Sequence, residues 1–334
     1  MRHFFHNSMI FVRYVFFSSL ITITYQQSAF ALVQSQTTVP QVTEYRYKVL
    51  DRIGVHEIGT RRVLAAQYTI EYEGYLQLYL RVLVPRSDDT WTSYLEKYHV
   101  DGSSVTRMQT VEMSDYVELY PHEKDPIKGM ALVDNKVIVL VGYKDSKGDM
   151  QQKLVAYSSN SLTKLTETSP LKWHGMALAP NPDRNSNYPL VMSDFDGNGI
   201  RLMRLDGQQQ EIPSTVFISR GEGEPETKAG KFSAIQIVPE GDNKYKAYGQ
   251  VWQSDMVLAW EWSKDNQAQH YRATEFVNFA SFHIEDLYQY QTPIVKADGF
   301  LGTLSYDANG HNFWITDERF MSLHKISINP LSEK

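Results

Sequence analysis

The chain has 334 residues, a formal charge of -6, a sequence pI near 5.9 and no cysteine. The absence of cysteine excludes disulfides and a thiol-linked lipid anchor, so core burial alone must stabilise the chain; a chain of this size can bury such a core. Lys and Arg are scattered, without the basic stripe that phosphate backbones require, which excludes nucleic acid as a natural partner.

In chain order, the first element is an export signal. Arg2 and Arg13 supply positive charge, the apolar run Tyr14 to Thr24 follows, and Ala29-Phe30-Ala31 places small residues where a signal peptidase needs them. Residues 1–31 therefore read as a signal peptide cleaved after Ala31, directing the chain to the periplasm or the medium. The run falls well short of the roughly twenty residues that a permanent span needs, and no later segment approaches that length. Residues 32–42 are polar and read as a flexible lead-in, leaving 43–334 as one domain.

From Thr43 onward, short β-branched and aromatic runs are bounded by Gly, Asp, Asn and Pro. Val63 to Tyr72, Tyr75 to Val84, Lys136 to Tyr143 and Lys246 to Trp252 are predicted strands. The pentapeptides Gly129-Met130-Ala131-Leu132-Val133 and Gly175-Met176-Ala177-Leu178-Ala179 repeat. A looser unit of strand, acidic turn and strand recurs at intervals of roughly 50–60 residues, the spacing of propeller blades. Its turns are Arg86–Asp89, Lys144–Asp149, Asp194–Gly199, Gln253–Asp255 and Tyr306–Gly310. The expected fold is thus all-β, a β-propeller of five blades, with six as the alternative. Glu44 to Leu50 is a spare strand that could complete the last blade. If the ring forms, all five acidic turns should lie on one face. Arg220 to Lys231 reads as an inserted loop.

Asp194-Phe195-Asp196-Gly197-Asn198-Gly199 is the sharpest local feature. It resembles the acidic hairpin turn of FG-GAP/VCBS-type propeller repeats, over about Leu190 to Leu205. That resemblance implies calcium, held by Asp194, Asp196 and Asn198. The Asp-Gly and Asn-Gly steps also suit a metal-free hairpin, in which Gly tolerates positive φ. An EF-hand is excluded, because Leu205 stands where the bidentate Glu would be.

No Gly-x-Ser-x-Gly elbow or phosphate-binding glycine loop occurs, and His56-Glu57 lacks the second zincin histidine. Glycoside hydrolysis needs carboxylates facing each other across a funnel. Glu123 with Asp125, and Glu285 with Asp286, precede two expected innermost strands, while Trp173 and His174 head a third. Trp252, Trp260, Trp262 and Trp314 could stack on sugars or pack between blades. The expectation from sequence is an exported, non-catalytic module presenting one face to a protein or glycan partner, with calcium as a possible stabiliser. The alternative is a secreted glycan-active hydrolase using carboxylates at the channel mouth.

Overall fold

The computed structural model describes residues 43–44, 49–54, 63–72, 75–85, 91–101, 104–116, 127–183, 185–195, 199–218, 225–241, 243–252, 256–265, 267–278, 301–307, 312–317 and 322–327. These contain strands and no helix, as the alternating apolar pattern requires.

Two short strands come first, β1 (Thr43–Glu44) and β2 (Val49–Gly54). The first full sheet is a meander of β3 (Val63–Tyr72), β4 (Tyr75–Pro85), β5 (Trp91–Asp101) and β6 (Ser104–Glu112). The second repeats that plan with β7 (Ile127–Val133), β8 (Lys136–Lys144), β9 (Met150–Ser158) and β10 (Lys164–Glu167). The third holds β11 (Gly175–Pro180), β12 (Leu190–Asp194) and β13 (Gly199–Met203). Next come β14 (Thr215–Ile218) and β15 (Thr227–Lys228), followed by β16 (Phe232–Gly241), β17 (Lys244–Val251) and β18 (Met256–Trp262). After β19 (His270–Ala273) and β20 (Glu275–Asn278) the chain ends with β21 (Leu301–Asp307), β22 (Asn312–Asp317) and β23 (Ser322–Ser327).

The fourth sheet is β16-β17-β18-β20 with β1 alongside β20, and β15-β14-β19 make a small side sheet. In the last sheet, β21-β22-β23 are joined by the N-terminal β2 as outermost strand. The chain start thus completes the last sheet, as expected, but through Val49–Gly54 rather than Glu44 to Leu50. Thr43–Glu44 instead adds to the fourth sheet.

The first strand of each sheet adjoins the first strand of the next, in the order β3, β7, β11, β16, β21, and β21 adjoins β3 again. This is the arrangement of a β-propeller. Each pair of neighbouring sheets has its own apolar cluster among the described residues. Tyr79 and Leu95 meet Ile127 and Val139, while Leu140 and Leu154 meet Leu178 and Met192. Val191 and Leu202 meet Ile235 and Trp260, and Val238 and Tyr248 meet Leu304 and Phe313. Trp314 returns to Leu78, Leu80 and Tyr98 of the first sheet. Removing these side chains from water is the main force holding sheet to sheet.

Polar ties cross the same seams. Arg81 donates to the carbonyl of Ile127, and the Gln152 amide pairs with both N–H and C=O of Gly175. Ser193 Oγ donates to the Phe232 carbonyl at 2.6 Å, and Gln236 to that of Leu304 at 3.1 Å. At Gly129 the backbones come closest: a Cβ there would lie 2.6 Å from the Leu178 nitrogen. Asp134 and Asn135 both have positive φ in the two-residue hairpin between β7 and β8, a conformation Asp and Asn tolerate best after Gly.

Two details correct the sequence reading. The repeated pentapeptides do lie on equivalent strands, β7 and β11, but two residues out of step: a bulge follows Ile127 in one and Gly175 in the other, so Gly129 corresponds to Ala177. The five acidic turns do not share a face either. Four join the second and third strands of their sheets, whereas Tyr306–Gly310 joins β21 to β22, the first and second. Antiparallel pairing puts that turn at the opposite end of its sheet. The irregular spacing of the inner strands, which start at 63, 127, 175, 232 and 301, is what misaligned it.

Candidate functional site

Every innermost strand is bulged near its start, after the first rung in β7, β11, β16 and β21 and after the second in β3. The register shifts fall between Leu64 and Ala66, Ile127 and Gly129, Gly175 and Ala177, Phe232 and Ala234, and Leu301 and Leu304. A bulge inserts one residue, re-aims its side chain and locally ends regular pairing, which is why bulges gather at barrel rims and active sites. The bulged residues Lys128, Met176 and Ser233 are half-buried among strands whose other residues are mostly sealed. The turns between second and third strands lie at this same end.

Above the first rung, the third and fourth sheets each add one more pair. Phe195 N–H donates to the His174 carbonyl at 2.9 Å, and Trp252 N–H to the Lys231 carbonyl at 2.8 Å. These pairs bring three side chains together across the seam. Lys231 Nζ lies 3.5 Å from the Phe195 ring centroid and 5.6 Å from that of Trp252. The two rings meet edge to face at 6.3 Å. Phe195, Trp252, Lys231, His174 and Trp173 are all half-buried. Such a shelf offers apolar ring faces and a cation, partly shielded from water, to anything that enters this end.

Below Phe195 the electrostatics are closed. Asp194 ends β12 with no exposure, and its Oδ2 accepts from Arg201 Nε at 2.6 Å. Arg201 Nη1 also donates to the carbonyls of Gln210 and Glu211, at 2.7 and 2.6 Å. Its guanidinium stacks 4.2 Å from the Trp173 ring centroid. The Gln209 side chain in turn bonds both the N–H and C=O of Trp173, each at 2.9 Å. Charge, hydrogen-bond geometry and stacking together hold the guanidinium in one pose.

The structure therefore places Asp194 as the anchor of a buried ion pair, with one oxygen already bonded to Arg201. Asp196 and Asn198, its partners in the calcium reading, lie outside the described residues, as do Glu123, Asp125, Glu285 and Asp286. Among the described residues, no three His, Asp or Glu side chains group as metal ligands. Trp173 and His174 do head β11, as expected. Of the four tryptophans, Trp260, Trp262 and Trp314 are core residues, at 0, 8 and 2 % exposure, and Trp252 alone stands half-open at the seam. The missed members are Lys231 and Phe195. Their signal was position, each lying next to a strand end that faces the neighbouring sheet.

A second polar group lies on the side sheet. Glu226 faces His270 Nε2 at 2.8 Å and Arg272 Nε at 2.5 Å, and the Phe217 and His270 rings stack at 4.0 Å. His270 and Arg272 draw the Glu226 carboxyl below the usual carboxylate range.

No family model matches the chain, and no curated protein matches it in sequence. Solved structures do match in fold. Glutaminyl cyclase of Myxococcus xanthus superposes with a TM-score of 0.54 at 10% identity, over 87% of this chain and 100% of that one. A GH43_1 enzyme from Xanthomonas citri, complexed with xylotriose, gives 0.51 at 10% identity, over 87% of this chain and 91% of that one. The fold is shared. These two neighbours of like fold, both enzymes, correct the expectation of a non-catalytic binding module, and the hydrolase alternative is the reading carried forward.

Proposed function

We propose that the chain is an exported glycan-active hydrolase on a ring of five blades, with its site where the innermost strands begin. The observation that carries this reading is the coincidence, at one end, of bulged inner-strand starts with the half-buried Phe195–Lys231–Trp252 shelf. The bound xylotriose in the GH43_1 enzyme of like fold supports a sugar chain as substrate. Aromatic faces suit the C–H faces of sugar rings, and bulges turn side chains toward the mouth.

Hydrolysis of a glycosidic bond needs two carboxyl groups on opposite sides of it. One gives its proton to the leaving oxygen as the bond to the anomeric carbon breaks. The other takes up the positive charge developing at that carbon, either by activating water or by bonding to it. The candidates are Glu123 or Asp125, in the segment leading to β7, and Glu285 or Asp286, in the segment leading to β21. Export on residues 1–31 brings the enzyme to polymers outside the cytosol, and the secreted form should begin at Leu32 by N-terminal sequencing.

The test is release of reducing ends from xylan, arabinan and pectin by the chain from Leu32 onward. E123Q, D125N, E285Q and D286N are assayed singly. One member of each pair should lose roughly 10²–10⁴-fold in kcat. Release from no polymer, or full activity in all four variants, contradicts the assignment.

A further inference from the structure

Lys231 differs from the other cations near this seam. The residue is half-buried, its ammonium is held over Phe195, and no Asp or Glu carboxylate among the described residues bonds it. Lys172, by contrast, is paired with Glu211 at 2.7 Å, and Arg201 with Asp194. In a chain of net charge -6, anions for such a lysine are plentiful. The ring face offers a quadrupole and no acceptor oxygen, so it orients the ammonium without neutralising it. A partly shielded ion pair formed there is screened less than one in open water. The face of Trp252 stands beside this cation, across an edge-to-face contact with Phe195.

We propose that Lys231, Phe195 and Trp252 form a subsite for an anionic sugar. Its carboxylate or sulfate pairs with the Lys231 ammonium while the sugar ring packs against Trp252. Ser233, the bulged residue two positions after Lys231, lies half-buried just below the Phe232–Val251 rung. The inference rests on the glycan-active reading and names its substrate class: a polymer carrying acid groups rather than a neutral one.

Calorimetric affinities of the chain from Leu32 onward for tetragalacturonate, a sulfated carrageenan tetrasaccharide and neutral xylotetraose test it. At least one anionic oligomer should bind tenfold or more tightly than xylotetraose, and which one does so separates carboxylate from sulfate. K231Q should abolish that preference and K231R keep most of it, while W252A weakens all binding. Raising salt should weaken the anionic ligand alone. Equal affinity for charged and neutral oligomers, unchanged in K231Q, overturns the anionic subsite and leaves the hydrolase reading standing. An anionic preference that does not fall with salt also overturns it. Binding of none of the three, with no polymer cleaved, overturns both. Matching melting midpoints for K231Q and wild type show that any loss is local, and the salt dependence of the wild type reads the pairing without any variant.

Discussion

Arg201 in the third sheet and Lys231 at the head of the fourth each hold a cation against an aromatic ring, 4.2 Å from Trp173 and 3.5 Å from Phe195. The arginine is sealed, salt-bridged to Asp194 and bonded to two carbonyls. The lysine is half-open and carries no carboxylate partner among the described residues. The same contact therefore serves two ends. Where the charge is fully satisfied it fixes the backbone around a turn, and where it is not, it leaves a cation available. Structure and binding are separated here by partners rather than by residue type.

The largest effect should come from breaking the sealed pair. Asp194→Ala leaves Arg201 buried and uncompensated, and should cost about 3–5 kcal/mol by denaturant titration. A loss below ~1 kcal/mol would mean that Arg201 escapes to water, and the contrast with Lys231 would fail. Next is the seam that holds the rungs in place. Gly129→Ala drives a Cβ into the β11 backbone and should cost about 1–3 kcal/mol. Wild-type stability there would show that the inner strands yield easily.

Lys231→Met should leave stability within roughly 0.5 kcal/mol of wild type while removing the charge. A loss comparable to that in Asp194→Ala would make Lys231 a structural residue and break the comparison from the other side. The smallest effect concerns Glu226, whose pKa is lowered first by His270 and then by Arg272. A depressed carboxylate stabilises the fold above its unfolded pKa, and that contribution is lost as pH falls through its folded value. The melting midpoint of wild type should thus exceed that of E226Q at neutral pH and converge with it below about pH 4. A gap that persists in acid would assign the effect to packing.

Strand content was readable because side-chain alternation is local. Val63–Tyr72 matches its predicted span, and β4 and β8 each extend theirs by one residue. The role of an N-terminal strand in completing the last sheet was also visible, since one strand was left over after the repeats. Its register was not, because Glu44 to Leu50 carries no turn signal that fixes a partner. The repeat was mis-stepped at two places. The Gly-Met-Ala-Leu match sits two residues apart on its two strands, an offset that only the aligned bulges reveal, and the uneven starts of the inner strands misplaced Tyr306–Gly310. The aspartate of the acidic turn was seen, but not its partner: Arg201 lies on the next strand, facing Asp194 only once β12 and β13 pair. Trp252 was named with Trp260, Trp262 and Trp314 on equal terms, because its distinction from them depends on which sheet covers which face. Lys231 was read only as the end of the inserted loop Arg220 to Lys231, since a lysine beside a strand is ordinary until a neighbouring sheet supplies the rings.

Amide hydrogen exchange, with and without the best-bound of the three oligosaccharides, tests most directly that the binding end is where the innermost strands begin. Protection is expected at His174–Met176, Phe195, Lys231–Ser233 and Trp252, with little change in β6, β10 or the side sheet. Protection confined to those outer strands, with the first rungs unaffected, would contradict the account.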